Sequence, residues 1–234
     1  MQSVDALYEK KMTCIYCSHP FTTLRVRSRF AIPHKIDSDF CPHYRDGNYN
    51  PHYYFVNVCP ECGFAFSEDF SEKFPLGSKE LIQAQITGHW TKRDFGQVRD
   101  IQQALESYKL AILAGSLKKE KHVVMAGLCL RLAWLYRTEN STEQEKRFLS
   151  LALKAYEESY TYSDFVGTSM SELRVMFMIG ELSRRLGEYS KAITYFSKIV
   201  QHKDAKAEPK IVNMARDQWK TATEEHRHQD GKNE

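Results

Sequence analysis

Residues 57–65 read Asn57-Val58-Cys59-Pro60-Glu61-Cys62-Gly63-Phe64-Ala65. Two cysteines with a two-residue spacer turn both sulfurs onto one ion, and a glycine directly after them can take the left-handed backbone that lets amides approach a sulfur. The same spacing occurs at Cys14-Ile15-Tyr16-Cys17. Four thiolates delivered in pairs are what a tetrahedral Zn²⁺ needs, so Cys14, Cys17, Cys59 and Cys62 are the expected metal ligands and Zn²⁺ the expected cofactor. Catalytic zinc keeps three protein ligands and an open position, whereas four equal cysteines close the site; the expected role is therefore structural. A thioredoxin-like redox motif does not fit, because no βαβ pattern surrounds either pair.

Working outward, 41 residues separate Cys17 from Cys59, where a compact ribbon has about fifteen to twenty. Most of the interval must be an insertion, and two strands joined by a loop would return the second pair beside the first. Residues 23–30 alternate, with Leu24, Val26 and Phe30 on one face and Arg25, Arg27 and Arg29 on the other, which predicts a half-buried strand. The aromatic and β-branched run 53–58 predicts a second strand leading into Cys59. Cys41 and His43, in Asp39-Phe40-Cys41-Pro42-His43, are alternative metal ligands should one of the four cysteines fail to reach. The arginine face could contact phosphate, but such a face is more commonly solvated or paired, here with Asp37 and Asp39.

From Ser78 the pattern becomes helical, and proline is absent between Pro75 and Pro209. Residues 180–196 fit the 34-residue tetratricopeptide pattern, with Gly180, Ala192 and Phe196 at positions eight, twenty and twenty-four. Small residues let the two helices of a hairpin approach, and the aromatic fills the space beside them. The same ruler places Ala133, Tyr136, Leu149, Ala152 and Leu153 in a preceding unit, and Ala104, Tyr108 and Ala111 in a partial one. About thirteen residues separate the last two units, which predicts an inserted turn around Gly167, and residues 210–226 are expected as a capping helix. In such arrays the first helix of each unit lines a groove. Here that lining is Leu130, Arg131, Trp134, Arg137 and Thr138 in one unit and Arg174, Phe177, Met178, Glu181, Arg184 and Arg185 in the next. A basic groove with apolar anchors suits an acidic or amphipathic peptide.

The 234 residues are 42% hydrophobic and carry a formal charge of +3. Residues 1–75 hold 8 Lys/Arg against 9 Asp/Glu, net −1, and residues 76–234 hold 25 against 21, net +4. Zinc-bound thiolates would make the first part more negative still, which argues against a nucleic-acid reader. No window is long and apolar enough for a membrane span, and charges near the N-terminus oppose a signal peptide, so a cytoplasmic location is expected. In a reducing compartment the six cysteines favour metal over disulfides.

The knuckle 57–65, preceded by Asn50-Pro51 and Tyr53-Tyr54 and followed by tetratricopeptide-like helices, resembles an uncharacterised bacterial family, domain of unknown function 2225. The resemblance implies a cytosolic bacterial protein with a zinc-ribbon-like head on a helical-repeat body, and brings no enzymatic activity with it. The expected fold is α+β, mostly α: a small zinc-ribbon-like β module at 1–76, a tetratricopeptide-like α-helical repeat domain at 77–226, and a disordered tail at 227–234. The expected function is a non-enzymatic, zinc-stabilised adaptor that binds a protein or peptide partner through the helical groove. The alternative is a zinc-ribbon regulator that binds nucleic acid.

Overall fold

The computed structural model describes residues 5–45 and 49–230. The fold is α+β and mostly α, with 56% of the described residues helical. Among the described residues six short strands form three antiparallel pairs: β1 (Leu7–Thr13) with β2 (Pro20–Val26), β3 (Lys35–Ile36) with β4 (Pro42–His43), and β5 (Asn57–Val58) with β6 (Ala65–Phe66). Seven helices follow among the described residues: α1 (Ser78–Gln85), α2 (Ile101–Lys118), α3 (His122–Thr138), α4 (Thr142–Tyr162), α5 (Glu172–Arg185), α6 (Tyr189–Val200) and α7 (Pro209–Asp230). None of them is long and apolar enough to cross a membrane.

The chain divides into two compact units, one of residues 1–36, 42–120 and 134–139 and the other of residues 37–41, 121–133 and 140–234. Helical periodicity begins at Ser78, but the first unit extends well past it. The reason is α2, which packs on β5 and β6 and in which Ala104, Tyr108 and Ala111 are fully buried. The Tyr108 hydroxyl donates to the His52 carbonyl at 3.1 Å, and its ring stacks on Phe55 at 6.2 Å. These three residues, placed in a partial repeat by their spacing, thus serve the core of the first unit. A 3-10 turn at Thr87–His89 and extended chain precede α2, so that segment supplies no partner helix of a repeat.

Arg99 knits the same unit together from a position that is 3% exposed. Its guanidinium donates to the carbonyls of Phe95 at 2.7 Å, Val56 at 2.8 Å and Tyr53 at 3.1 Å. Burial pulls its pKa down to about 10. In the same unit, Lys118 and Glu120 form an ion pair with both side chains almost fully buried, and Glu120 also accepts the Ser71 amide at 3.0 Å.

In the second unit α5 and α6 form a close hairpin. Gly180 faces Phe196: a Cβ built on Gly180 would lie 2.8 Å from that ring, so the missing side chain is what permits the contact. Ala192 and Phe196 are fully buried. The turn around Gly167 is present, with φ +78. It brings Asp164 to the start of α3, where its carboxylate accepts the His122 amide at 2.6 Å and the Ser159 hydroxyl at 2.6 Å. The last helix, α7, buries Ile211, Val212, Ala215 and Ala222, and it continues through residues 227–230 of the expected tail. Residues 231–234 lie outside the described residues.

Candidate metal centre

Two hairpins each end in a cysteine knuckle. The first joins β1 to β2: Cys14 N donates to His19 O at 3.0 Å, and Ser18 N donates to Cys14 O at 2.9 Å. The second joins β5 to β6 in the same way, with Cys59 N donating to Phe64 O at 3.1 Å and Gly63 N to Cys59 O at 2.9 Å. The residue four places after the first cysteine is left-handed in both, Ser18 at φ 63 and Gly63 at φ 72. The knuckles are therefore two copies of one backbone device. Glycine makes the second readable from sequence, whereas Ser18 conceals the first.

The strand expectations need correcting at their ends. The alternating run 23–30 is strand only to Val26, and Ser28–Phe30 is a 3-10 turn. Likewise 53–58 opens in the 3-10 turn Pro51–Tyr54, and only Asn57–Val58 is strand. Asn50 starts that turn by accepting the His52 amide at 2.9 Å, which competes with extended backbone. The strand β1, whose apolar pattern is interrupted by Glu9, Lys10 and Lys11, lies outside the strands expected from the sequence.

All four cysteine sulfurs lie within 4.8 Å of one another. The first cysteine of each knuckle meets the second of the other: Cys14 Sγ to Cys62 Sγ is 3.7 Å and Cys17 Sγ to Cys59 Sγ is 3.7 Å. Disulfide sulfurs would be about 2.05 Å apart. A tetrahedron with Zn–S bonds of about 2.3 Å has edges of about 3.8 Å, so the observed separations fit an ion at the centre. Cys14, Cys59 and Cys62 are buried and Cys17 faces solvent. Hydrogen bonds from Cys14 and Cys62 hold the Cys59 thiol down to about 2. Cys14, bonded to Cys59, is pushed up to about 12, and Cys62, bonded to Cys14 and Cys59, is also pushed up. An ionised Cys59 thus opposes ionisation of Cys14 and Cys62 beside it, and a cation among the four sulfurs would compensate that charge.

Aromatic side chains enclose the knuckles. Trp90 lies against Gly63, where a Cβ would come within 2.3 Å of the indole, and its Nε1 donates to Pro60 O at 2.9 Å. Tyr16 stacks on Phe64 at 5.5 Å. Trp90 is far from either cysteine pair in sequence, and spacing alone could not have assigned it here.

Cys41 and His43 are not needed by the four-cysteine group. Cys41 is buried and His43 half-buried, and the two fall in different units of the chain. Nor do the arginines of the β2 region face outward as a free stripe. Arg25 donates to the Tyr54 carbonyl, to Asn57 Oδ1 at 2.7 Å and to Glu68 at 3.3 Å, and Arg27 donates to Asp5 O at 3.1 Å. Of the three arginines expected to pair with Asp37 or Asp39, Arg25 and Arg27 make these contacts instead.

The residues expected along a groove are largely committed within the chain. Trp134 is 7% exposed, with His52 edge-on at 5.2 Å, and Phe177 is fully buried. Arg131 donates to the Gly127 carbonyl one turn earlier in α3, Arg137 lies in the last turn of α3, and Arg174 donates to Glu208 at 3.0 Å. On α5, Arg184 and Arg185 converge on Glu181, which is fully buried; Arg184 also holds Glu225 at 2.8 Å. Ser38 donates to Glu181 at 2.6 Å, Asp39 pairs with Arg185 at 3.3 Å, and Phe40 packs on Phe177 at 5.6 Å. The face of α5 assigned to a partner is thus covered by residues 38–40 of the chain itself.

Residues 7–222 match a family described as an uncharacterized protein conserved in bacteria, DUF2225. The chain belongs to this family. No curated protein matches it, and no solved structure does. The four-cysteine cluster fits a zinc-ribbon-like module within this DUF2225 protein.

Proposed function

We propose that this DUF2225 protein is a non-enzymatic, cytoplasmic adaptor, held in shape by one structural Zn²⁺ and recognising an acidic, aromatic segment of a protein partner through its tetratricopeptide-like helices. The observation that carries the metal half is the pair of 3.7 Å sulfur separations within a group of four cysteines that leaves no ligand position open. Zinc in small modules contributes on the order of 10 kcal/mol to folding, ample for hairpins whose second pair of strands is two residues long.

Support for the binding half comes from what lies on α5. Asp39 and Phe40 present a carboxylate to Arg185 and a ring to Phe177. That is the chemistry a basic face with apolar anchors selects, and a partner segment of the same character would compete for it. The nucleic-acid alternative draws little support, because Arg25 and Arg27 are engaged by acceptors of the chain.

A fluorescent peptide carrying Ser-Asp-Phe, titrated into the chain with Asp39→Ala and Phe40→Ala, tests the proposal. Saturable binding that disappears on adding Arg185→Ala is expected. Failure to bind the peptide, together with salt-dependent binding of DNA or RNA, would replace the adaptor with the alternative.

A further inference from the structure

We propose that the outer edge of β1 docks a second copy of this chain, in an antiparallel register that sets Glu9 of each copy against Lys11 of the other. Backbone bonding shows which groups form that edge. Successive residues of an antiparallel strand turn their N–H and C=O groups alternately toward the neighbouring strand and away from it. At the two ends of the β1–β2 ladder, Arg27 N donates to Ala6 O at 2.8 Å and Cys14 N donates to His19 O at 3.0 Å. Tyr8, Lys10 and Met12 therefore bond to β2, while Leu7, Glu9, Lys11 and Thr13 turn their backbone groups outward. The far side of the pair obeys the same alternation: Leu24, which stands opposite Glu9, donates its amide away from β1 to Gly96 O at 3.1 Å. Among the described residues no strand or loop does the same for the outward groups of β1.

Open edges are commonly blunted by proline, by a bulge or by a row of like charges. The strand β1 is seven residues long, contains no proline, and pairs with β2 residue for residue without a bulge. Its outward row instead carries two exposed charges of opposite sign, Glu9 and Lys11. Lys10, in the other row, is held by Glu68 at 2.7 Å. Such an edge repels most strands but complements its own copy.

A twofold axis through Lys10 pairs Glu9 with Lys11 and Leu7 with Thr13, each in both directions. All four outward residues of each strand then exchange both backbone bonds with the residue opposite, about eight hydrogen bonds in all. The side chains match along the whole length. Glu9 meets Lys11, Leu7 meets Thr13, and Tyr8, 37% exposed, meets the thioether of Met12 in an aromatic–sulfur pair. At the axis Lys10 meets its own copy, each ammonium with its own Glu68 as counter-ion. A slide of two residues centres the axis on Glu9 or on Lys11 and sets like charges directly opposite. A slide of one residue opposes outward groups to inward ones and forfeits the bonds. Charge thus fixes the register as well as the partner. The product is a four-stranded sheet in the order β2-β1-β1-β2, and an interface built on one strand edge is small enough to dissociate on dilution.

The experiment follows the full chain, loaded with zinc, by sedimentation velocity over a dilution series, with amide hydrogen exchange measured at the lowest and highest concentrations. A monomer that becomes a dimer on concentrating is expected, with exchange slowed at the Glu9 and Lys11 amides. Glu9→Lys and Lys11→Glu, both at exposed positions, should each weaken the dimer at least about tenfold, because each puts like charges across the axis twice. An equimolar mixture of those two variants should recover the dimer, since opposite charges again face each other, and the double variant Glu9→Lys with Lys11→Glu should dimerise as the unaltered chain does. A chain that stays monomeric throughout overturns the proposal and leaves the edge to a strand of another protein. A dimer that neither single variant weakens, that leaves the two amides unprotected, or that the mixture does not recover overturns it equally.

Discussion

Gly63→Ala isolates how the second knuckle is built. Two penalties meet at this position. Its φ of +72 is left-handed, which costs a residue with a Cβ about 1–2 kcal/mol. The added methyl also lands 2.3 Å from Cδ2 and Cε3 of Trp90. The indole cannot simply swing away, because its Nε1 holds Pro60 O at 2.9 Å. Overpacking of this kind costs about 1–3 kcal/mol. The combined loss is about 2–5 kcal/mol, and because the knuckle presents Cys59 and Cys62, a loss near 3 kcal/mol would weaken apparent zinc affinity roughly a hundredfold.

Gly77→Ala is the matched control: its φ is +78, yet nothing lies within 4 Å of the added atom, so only the backbone penalty applies. Chelator competition on both variants, followed by thermal unfolding of the zinc-loaded forms, separates the two costs. Adding Trp90→Ala to Gly63→Ala should recover the steric part of the zinc affinity relative to Trp90→Ala alone. If Gly63→Ala and Gly77→Ala lose the same stability and neither changes zinc affinity, the argument that Trp90 seals the knuckle is wrong.

The remaining predictions concern both units. Glu181→Ala should destabilise the second unit by about 3–5 kcal/mol, since it strands Arg184 and Arg185 beside a lost carboxylate; denaturant unfolding within 1 kcal/mol of the unaltered chain would contradict it. Gly180→Ala should lose about 1–2 kcal/mol net, its contact with Phe196 outweighing the better helix propensity of alanine, and Phe196→Leu should relieve that loss in the double variant. Burial alone would raise the Asp164 pKa, but hydrogen bonds from Ser159 and His122 win and hold it below the ordinary carboxylate range. Its contribution is therefore present above the unfolded carboxylate pKa of about 4 and lost as pH falls through the lower folded value; Asp164→Asn should flatten the acid limb of the stability curve. Cys59→Ser with Cys62→Ser should expose residues 5–76 to protease while α5–α7 keep their helicity, and unchanged protease resistance would count against a metal-held head.

Much of the site was legible because metal ligation imposes a short spacing on sulfur, and that spacing survives in one sequence. What surrounds it was not. The strand β1 (Leu7–Thr13) is legible only once its pairing with β2 is known, because lysines and a glutamate interrupt its apolar pattern. Ser18 adopts the conformation that Gly63 advertises. The boundary expected near residue 76 marks where helical periodicity begins, but periodicity reports that a face is buried and not against what. For α2 the answer lies with Tyr108 and His52. The α5 face shows the same gap: Arg184, Arg185 and Phe177 read as binding residues, and the chain meets them with Ser38, Asp39 and Phe40 from its own hairpin loop.

Zinc K-edge X-ray absorption on the full chain, loaded with one equivalent of zinc, tests the central claim most directly, because it counts the sulfur neighbours that Cys14, Cys17, Cys59 and Cys62 are expected to supply. The account predicts one zinc per chain with four sulfur neighbours at about 2.3 Å and no nitrogen or oxygen in the first shell. Fewer than four sulfurs, a lighter atom among the ligands, or a folded chain that retains no zinc would contradict it.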